Sequence, residues 1–552
     1  MRVLLAVACL LFLLPVAQAA PFGANEPARF EELEVPGGSA SEPTIGIPWN
    51  TDSLFYHLGT NTMRARFDDA GVPTWVDVTP PYQIPTNLDP MLVADVDTGR
   101  VFAGGLLGPC SVMMYSDDDG GTWLPTINMC SGTNFDHQSI GLGPPAGPIP
   151  GLQEGRHIGY YCAQGATGIS CARSLDEGST WLPFQTVAGS CAGFHGHIRV
   201  SPLTGFVTVP TSSCGDHSGY IATADGGLTW TSHEMPLSAA WTNGFDPSIQ
   251  FSRTSGWMYY GMASEHGVYM ALSKDQGTTW EPLGGGMGIN ATSWLDVGQF
   301  HDPPVVSGVF TNVQAGDDDR AAVAFIGLEG GPGTDEAMLR SDVIYNCDDR
   351  QDELVWHYYV AVTYDAGQTW TVNKLSEDPV QVGGIYDVVV DGSGGCRNLL
   401  DFQDMDIDSK GRMHVGWADG CIDECAKQAK PETQGWRENA ARVYRQVGGR
   451  GLFAEFDIAT PVGPLDTDGD GVPNNEDDDL DGDGLANGED DDLDGDGVVD
   501  TADNDLDGDG VPDADDDDAQ VPGLNEPKDT PALGFALVAV ALAAVALSRR
   551  RR

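Results

Sequence analysis

The octapeptide Ser116-Asp117-Asp118-Asp119-Gly120-Gly121-Thr122-Trp123 decides the fold of this chain. Its pattern, Ser/Thr-x-Asp-x-Gly-x-Thr-Trp, returns at residues 174–181, 223–230, 273–280 and 363–370. A worn copy with one inserted residue precedes them at Asp69, Gly71, Thr74 and Trp75. The Ser/Thr and Asp oxygens of such a stretch accept backbone N–H groups inside a tight turn. Gly allows the positive φ that the turn needs. The Trp then starts a strand and buries a large apolar surface. Strand-like runs lead into the copies at residues 112–115, 169–173, 219–222, 268–272 and 359–362. Each copy is therefore expected to be a β-hairpin turn. The central aspartates recur every 49–58 residues, with one gap of 90. Hairpin-built units of that length predict a radial array of small sheets, an all-β fold.

The octapeptide resembles the Asp box, or BNR repeat, of the sialidase-like β-propeller superfamily. That resemblance implies a β-propeller whose boxes join the two outer strands of a blade, away from the chemical face. It implies a structural role for the box residues. It does not by itself imply an enzyme, because the superfamily holds sialidases and other glycosidases beside sortilin-like receptors and assembly factors.

A second motif starts each unit. It reads Glu42-Pro43-Thr44-Ile45, Asp89-Pro90-Met91-Leu92, Asp246-Pro247-Ser248-Ile249 and Asp302-Pro303-Pro304-Val305. Looser versions are Asp136-His137-Gln138-Ser139-Ile140, Gly196-His197-Ile198 and Asp404-Met405-Asp406-Ile407. Seven units predict seven four-stranded blades within residues 28–460, with the six blades of true sialidases as the alternative. A strand near residues 30–35, or one near 452–458, is expected to complete a shared blade and close the ring, which removes exposed sheet edges. Residues 314–355, acidic and Gly-rich, and 421–441, partly helical in pattern, are expected to be insertions.

Residues 1–20 have the plan of a secretory signal: Arg2, an apolar core over 3–15, and Ala17-Gln18-Ala19 as cleavage site. Eleven cysteines are present, and Cys9 lies in that leader. The remaining even number, in a chain with an export signal, predicts disulfides. Neighbour pairing gives Cys110–Cys130, Cys162–Cys171, Cys191–Cys214, Cys347–Cys396 and Cys421–Cys425. The formal net charge is −54, from 82 acidic and 28 basic residues. A surface of that sign excludes nucleic acid as a partner.

From Asp466 the sequence Asp-x-Asp-Gly-Asp-Gly recurs with a period of 13. In the first loop Asp466, Asp468 and Asp470 take positions 1, 3 and 5, Gly471 position 6 and Asp477 position 12. This is the hard-oxygen spacing of an EF-hand-type Ca²⁺ loop, with Asp for the usual terminal Glu. The later loops repeat it with Asp479, Asp481, Asp483 and Asp490; Asp492, Asp494, Asp496 and Asp503; and Asp505, Asp507, Asp509 and Asp516. One residue separates successive loops, so residues 464–518 resemble thrombospondin type 3 repeats. Unliganded, so many carboxylates repel one another; Ca²⁺ is expected to fold them into a stalk. A linker over 519–530 leads to a tail over 531–552, an apolar helix ending in Arg549–Arg552. The tail resembles archaeal and bacterial C-terminal sorting signals of the PGF-CTERM type, or a plain membrane anchor. Either places the propeller at the outer face of the cell envelope.

Loops that enter the innermost strands of a propeller gather at one channel mouth. Asp89, Asp136, His137, His195, His197, Asp246, His301 and Asp302 are the ligand-binding candidates there. Two functions compete for that face. One is binding of an extracellular glycan or protein. The other is glycoside hydrolysis, which needs two carboxyls about 5–10 Å apart. Sialidases usually carry an Arg-Ile-Pro motif ahead of the first blade. Ser41-Glu42-Pro43-Thr44-Ile45 offers no such Arg, which favours binding.

Overall fold

A computed structural model describes residues 27–457, apart from short gaps and the segments 82–87, 131–135, 236–246, 283–294, 330–353, 386–398 and 427–438, together with Leu485 and Asn487. The chain divides into two compact units, Met1–Val462 and Gly463–Arg552. The leader, the proposed calcium ligands from Asp466 to Asp516 and the tail fall outside the described residues. Among those residues no helix is long and apolar enough to cross a membrane.

The first unit is a seven-bladed β-propeller of antiparallel sheets. Blade 2 shows the plan, with Leu88–Ala94, Val101–Leu107, Cys110–Ser116 and Leu124–Pro125 paired in that order from the inside outward. The innermost strands of the other blades are Thr44–Gly46, Asp136–Gly143, Arg199–Val200, Ser248–Phe251, Val305–Ala315 and Asp404–Ile407. Each touches the next in a closed circuit. The approach is tight. A Cβ on Gly46 would meet Leu92 Cδ2 at 2.7 Å and Ala94 N at 2.9 Å, so only Gly fits.

The ring closes in blade 7. Its strands Asp404–Ile407, Met413–Asp419 and Ala440–Gly448 are completed on the outside by Arg29–Glu34 from the start of the chain. Of the two closing strands expected, the N-terminal one does this; residues 454–456 form a 3₁₀ turn instead. The core lies between blades. Trp417 stacks on Tyr444 at 5.4 Å, and Trp356, Tyr358 and Val443 are fully buried with them.

The five octapeptides form one turn, built five times between the third and fourth strands of blades 2 to 6. In blade 2, Ser116 Oγ donates to Asp118 Oδ1 (2.9 Å) and accepts Gly120 N–H (2.9 Å). Asp118 also accepts Thr122 N–H (2.7 Å) and Oγ1–H (2.8 Å). The same bonds recur around Asp176, Asp225, Asp275 and Asp365. The residue before the Gly is left-handed each time: Asp119, Glu177, Gly226, Gln276 and Ala366. In the worn turn of blade 1, Asp68 accepts the turn N–H from Val72 (2.8 Å), and Asp69 lies outside the described residues. Four expected disulfides form, Cys110–Cys130, Cys162–Cys171, Cys191–Cys214 and Cys421–Cys425. The fifth pair falls outside the described residues.

Two expectations change in blade 6. Residues 314–355 are not one insertion, because Ala321–Glu329 is a buried second strand between acidic neighbours. The stretch Asp302-Pro303-Pro304-Val305 does not start the channel-lining part of its strand. A bulge further along does, with Phe310 at φ 55° and Asn312 after it.

Candidate functional site

Inner strands begin with a kink. Glu42, Asp89, His137 and Phe310 all hold φ between 46° and 55°, at matching positions in blades 1, 2, 3 and 6. Left-handed backbone is costly for residues with side chains, so something must hold these kinks. At Asp89 it is a side-chain bond: His137 N–H donates to Asp89 Oδ2 at 2.7 Å.

Related bonds run round the channel. Ser139 accepts Ile198 N–H (2.7 Å), joining blades 3 and 4, and Ser248 accepts Val313 N–H (3.0 Å), joining 5 and 6. Gln250 donates to Gln314, which donates to the Met405 carbonyl. At the seam between blades 7 and 1, Asp404 Oδ2 accepts Ile45 N–H (3.0 Å) and Asp406 Oδ2 accepts Ile47 N–H (2.9 Å). Asn312 Nδ2 donates to Asp404 Oδ1 at 2.7 Å. Ile45, Gln250, Gln314, Asp404, Met405 and Asp406 line a central cavity of about 120 Å³, together with His197 and Arg199. Burial pushes Asp404 up to about 7, against the pull of Arg199, and Asp406 up to about 6. His197 Nδ1 stands 3.6 Å from Asp404 Oδ1.

Asp89, Asp136 and His137 meet on the seam of blades 2 and 3. Burial raises Asp89 to about 6; the His137 imidazole opposes the rise, and the hydrogen-bonded Asp136 carboxyl adds to it. Beneath them Gln138 donates to the Asp89 carbonyl (2.6 Å) and accepts from Ser111 and Tyr161. The Asp89 and Asp136 carboxyls are hydrogen-bonded to each other. They sit closer than the pair of a glycosidase. His301 lies elsewhere, edge-on to Tyr359 at 5.3 Å on the flank of blade 6, and its Nδ1 meets the Pro303 carbonyl. His195, Asp246 and Asp302 fall outside the described residues.

At the channel's other end Arg253 reaches Asp97 (3.1 Å) and lies 4.5 Å over the Trp49 ring. Asp97 belongs to a group of Asp95, Asp97 and His157 whose ligand atoms lie close enough to hold a metal ion. His157 Nδ1 is 2.8 Å from Asp95 Oδ2, and Asp95 holds its own turn through Thr98 (2.8 Å). Ser201, Ser252 and Asp408 shape the matching turn of other blades. The group is thus accounted for as a turn and an ion pair. Two carboxylates and an imidazole also differ from the six to eight oxygens Ca²⁺ takes. Arg199, Gln250, Gln314 and Asp406 line the channel without appearing among the sequence candidates. Arg199 and Gln250 directly follow their unit-start motifs and Asp406 lies within its own, which was the available signal; Gln314 had none.

No protein-family profile and no curated protein matches this chain. Solved structures with a similar fold include AofleA from Arthrobotrys oligospora, at 10% identity over 67% of this chain and 98% of that one, TM-score 0.38. A GH74 xyloglucanase from Xanthomonas campestris matches at 11% identity over 71% and 54%, TM-score 0.38. The Hadza microbial sialidase Hz136 matches at 15% identity over 52% and 63%, TM-score 0.33. The likeness is weak and supplies no residue-level correspondence.

Proposed function

We propose that this chain is an exported propeller, anchored at the cell surface on a calcium-binding stalk, that binds an extracellular glycan or protein without hydrolysing it. One observation carries the choice of binding over hydrolysis. The inner carboxylates are already engaged: Asp404 and Asp406 accept backbone N–H groups of blade 1, and Asp89 is bonded to His137 N–H and Asp136. A glycosidase instead keeps two carboxyls about 5–10 Å apart across a bound sugar. In this reading residues 1–20 direct export, residues 464–518 form the stalk and residues 531–552 anchor it.

The test applies the calcium-loaded full chain to a glycan array and to a panel of fluorogenic glycosides. Saturable capture of an arrayed glycan, or of a purified envelope protein rebound after pull-down, is expected without fluorophore release. Turnover that vanishes in Asp136→Asn, or silence on array and pull-down alike, would overturn the reading.

A further inference from the structure

Blades 3 and 4 enclose a second pocket, of about 210 Å³, on the box side of their outer strands. It is lined by Arg173, Leu182, Phe184, Gln185, Gly227 and Trp230 among others. The matching groove between blades 2 and 3 is filled by the chain itself. There Ile127 N–H donates to the Ser179 carbonyl and Trp181 N–H to the Ile127 carbonyl (both 3.1 Å), and Trp181 is 3% exposed. Between blades 3 and 4 no backbone bond of this kind joins the two blades among the described residues. Trp230 is left half-buried at the open pocket. The Trp123 indole N–H donates to the Val78 carbonyl (2.8 Å), whereas no acceptor meets that of Trp230 among the described residues.

Charge makes the pocket unusual in so acidic a chain. In blades 2 and 3 the left-handed position of the turn is acidic and neutralised, Arg64 and Arg66 meeting Asp119 and Arg156 meeting Glu177, while blades 5 and 6 carry Gln276 and Ala366 there. At the same position blade 4 has Gly226. Arg173 therefore meets only a carbonyl, donating from Nη1 to Gly226 O at 2.9 Å, with no ion pair among the described residues. A planar guanidinium with unused donors suits a carboxylate. An indole face with a free N–H suits the apolar face and a hydroxyl of a sugar ring.

We infer that this pocket receives an acidic sugar residue of an extracellular polysaccharide, its carboxylate on Arg173 and its ring against Trp230. The inference rests on the binding function proposed above and names its ligand class.

Calorimetry on the calcium-loaded full chain with trigalacturonate, a hyaluronate tetrasaccharide and neutral cellotriose tests it. At least one uronate should bind roughly tenfold tighter than cellotriose. Arg173→Gln and Trp230→Leu should each weaken that binding roughly tenfold, with Arg173→Lys in between. Thermal melts identify a variant that fails to fold, and the three substitutions do not share that risk equally. Uronate binding unchanged in Arg173→Gln, equal binding of cellotriose, tighter binding of an acidic hexapeptide, or no uronate binding at all would overturn it. An array hit on another glycan, unaffected by these substitutions, would remove this pocket and leave the broader binding function standing.

Discussion

Asp404 accepts the backbone N–H of Ile45 across 359 residues of sequence, at 3.0 Å. Asp406 repeats the contact with Ile47 one step along the same strand. The seam where the ring closes is thus sewn on its inner side by two carboxyls and on its outer side by the strand Arg29–Glu34.

Removing the inner stitch should loosen the ring. Asp404→Leu leaves the N–H groups of Ile45 and Met405 and the Asn312 amide without their acceptor. Each buried orphan costs about 1–3 kcal/mol, so a clear fall in Tm is expected in thermal melts. Asp404→Asn keeps one acceptor oxygen and should fall less. Equal melts for both variants and the parent would refute the stitch.

Stability should peak in mildly acidic solution. Burial raises Asp404 and Asp419 to about 7, and Asp406 and Asp89 to about 6, from 3.8. A raised carboxyl contributes stability that is fully present below 3.8 and lost as pH climbs through 6 to 7. Asp408 works the other way. Burial pulls it up, but His414 and Arg412 hold it at about 2, so its contribution is lost as pH falls from 3.8 through about 2. The turn aspartates are also lowered, Asp118 chiefly by the Thr122 N–H bond. Melts from pH 3 to 8 should therefore pass through a maximum between about 4 and 6. A Tm still rising at pH 8 would contradict this, and Asp404→Asn should flatten the alkaline limb.

The repeated turns should matter to stability and not to binding. Asp225→Ala removes the acceptor for Thr229 N–H (2.9 Å) and Oγ1–H (2.6 Å). These groups are exposed, so water replaces part of the loss and a cost of about 1–2 kcal/mol is expected. Glycan-array binding should be retained at temperatures below the melt. Loss of binding in the folded variant would assign the turn a direct role.

Chelation should separate the two units. Calcium titration of the full chain is expected to show several binding events, abolished when Asp468, Asp481, Asp494 and Asp507 are replaced by Ala. EGTA should expose residues 464–518 to proteolysis while the propeller's melting transition stays in place. A propeller transition that moves with EGTA and not with those four substitutions would instead point to a cation within the ring.

The turns were legible because the side-chain bonds that shape them lie within eight consecutive residues, among Ser116, Asp118, Gly120 and Thr122. The blade count followed from them and from the unit starts. The channel was legible only in part. Asp89, Asp136 and His137 meet as expected, but Gln314 acts through Gln250, 64 residues away, and the Met405 carbonyl, 91 residues away. No local pattern marks such a contact. Blade 6 hid its start because Phe310 carries the kink there with no acidic residue. Its second strand hid between acidic flanks, where composition outweighed the apolar run of Ala321–Glu329. No motif marks Arg173, because its distinction is a missing partner, set by Gly226, 53 residues on.

Glu32 and Tyr444, bonded across the closing sheet, are separated by 412 residues. A ribosome that has made six blades has therefore made an open arc, whose first strand waits for its mate until the seventh is nearly finished. Any chain truncated before Ala440 keeps two raw sheet edges ready to pair with a neighbour. Completion of the ring is thus read out mechanically: the strand Arg29–Glu34 finds its mate only in a chain made through Gly448.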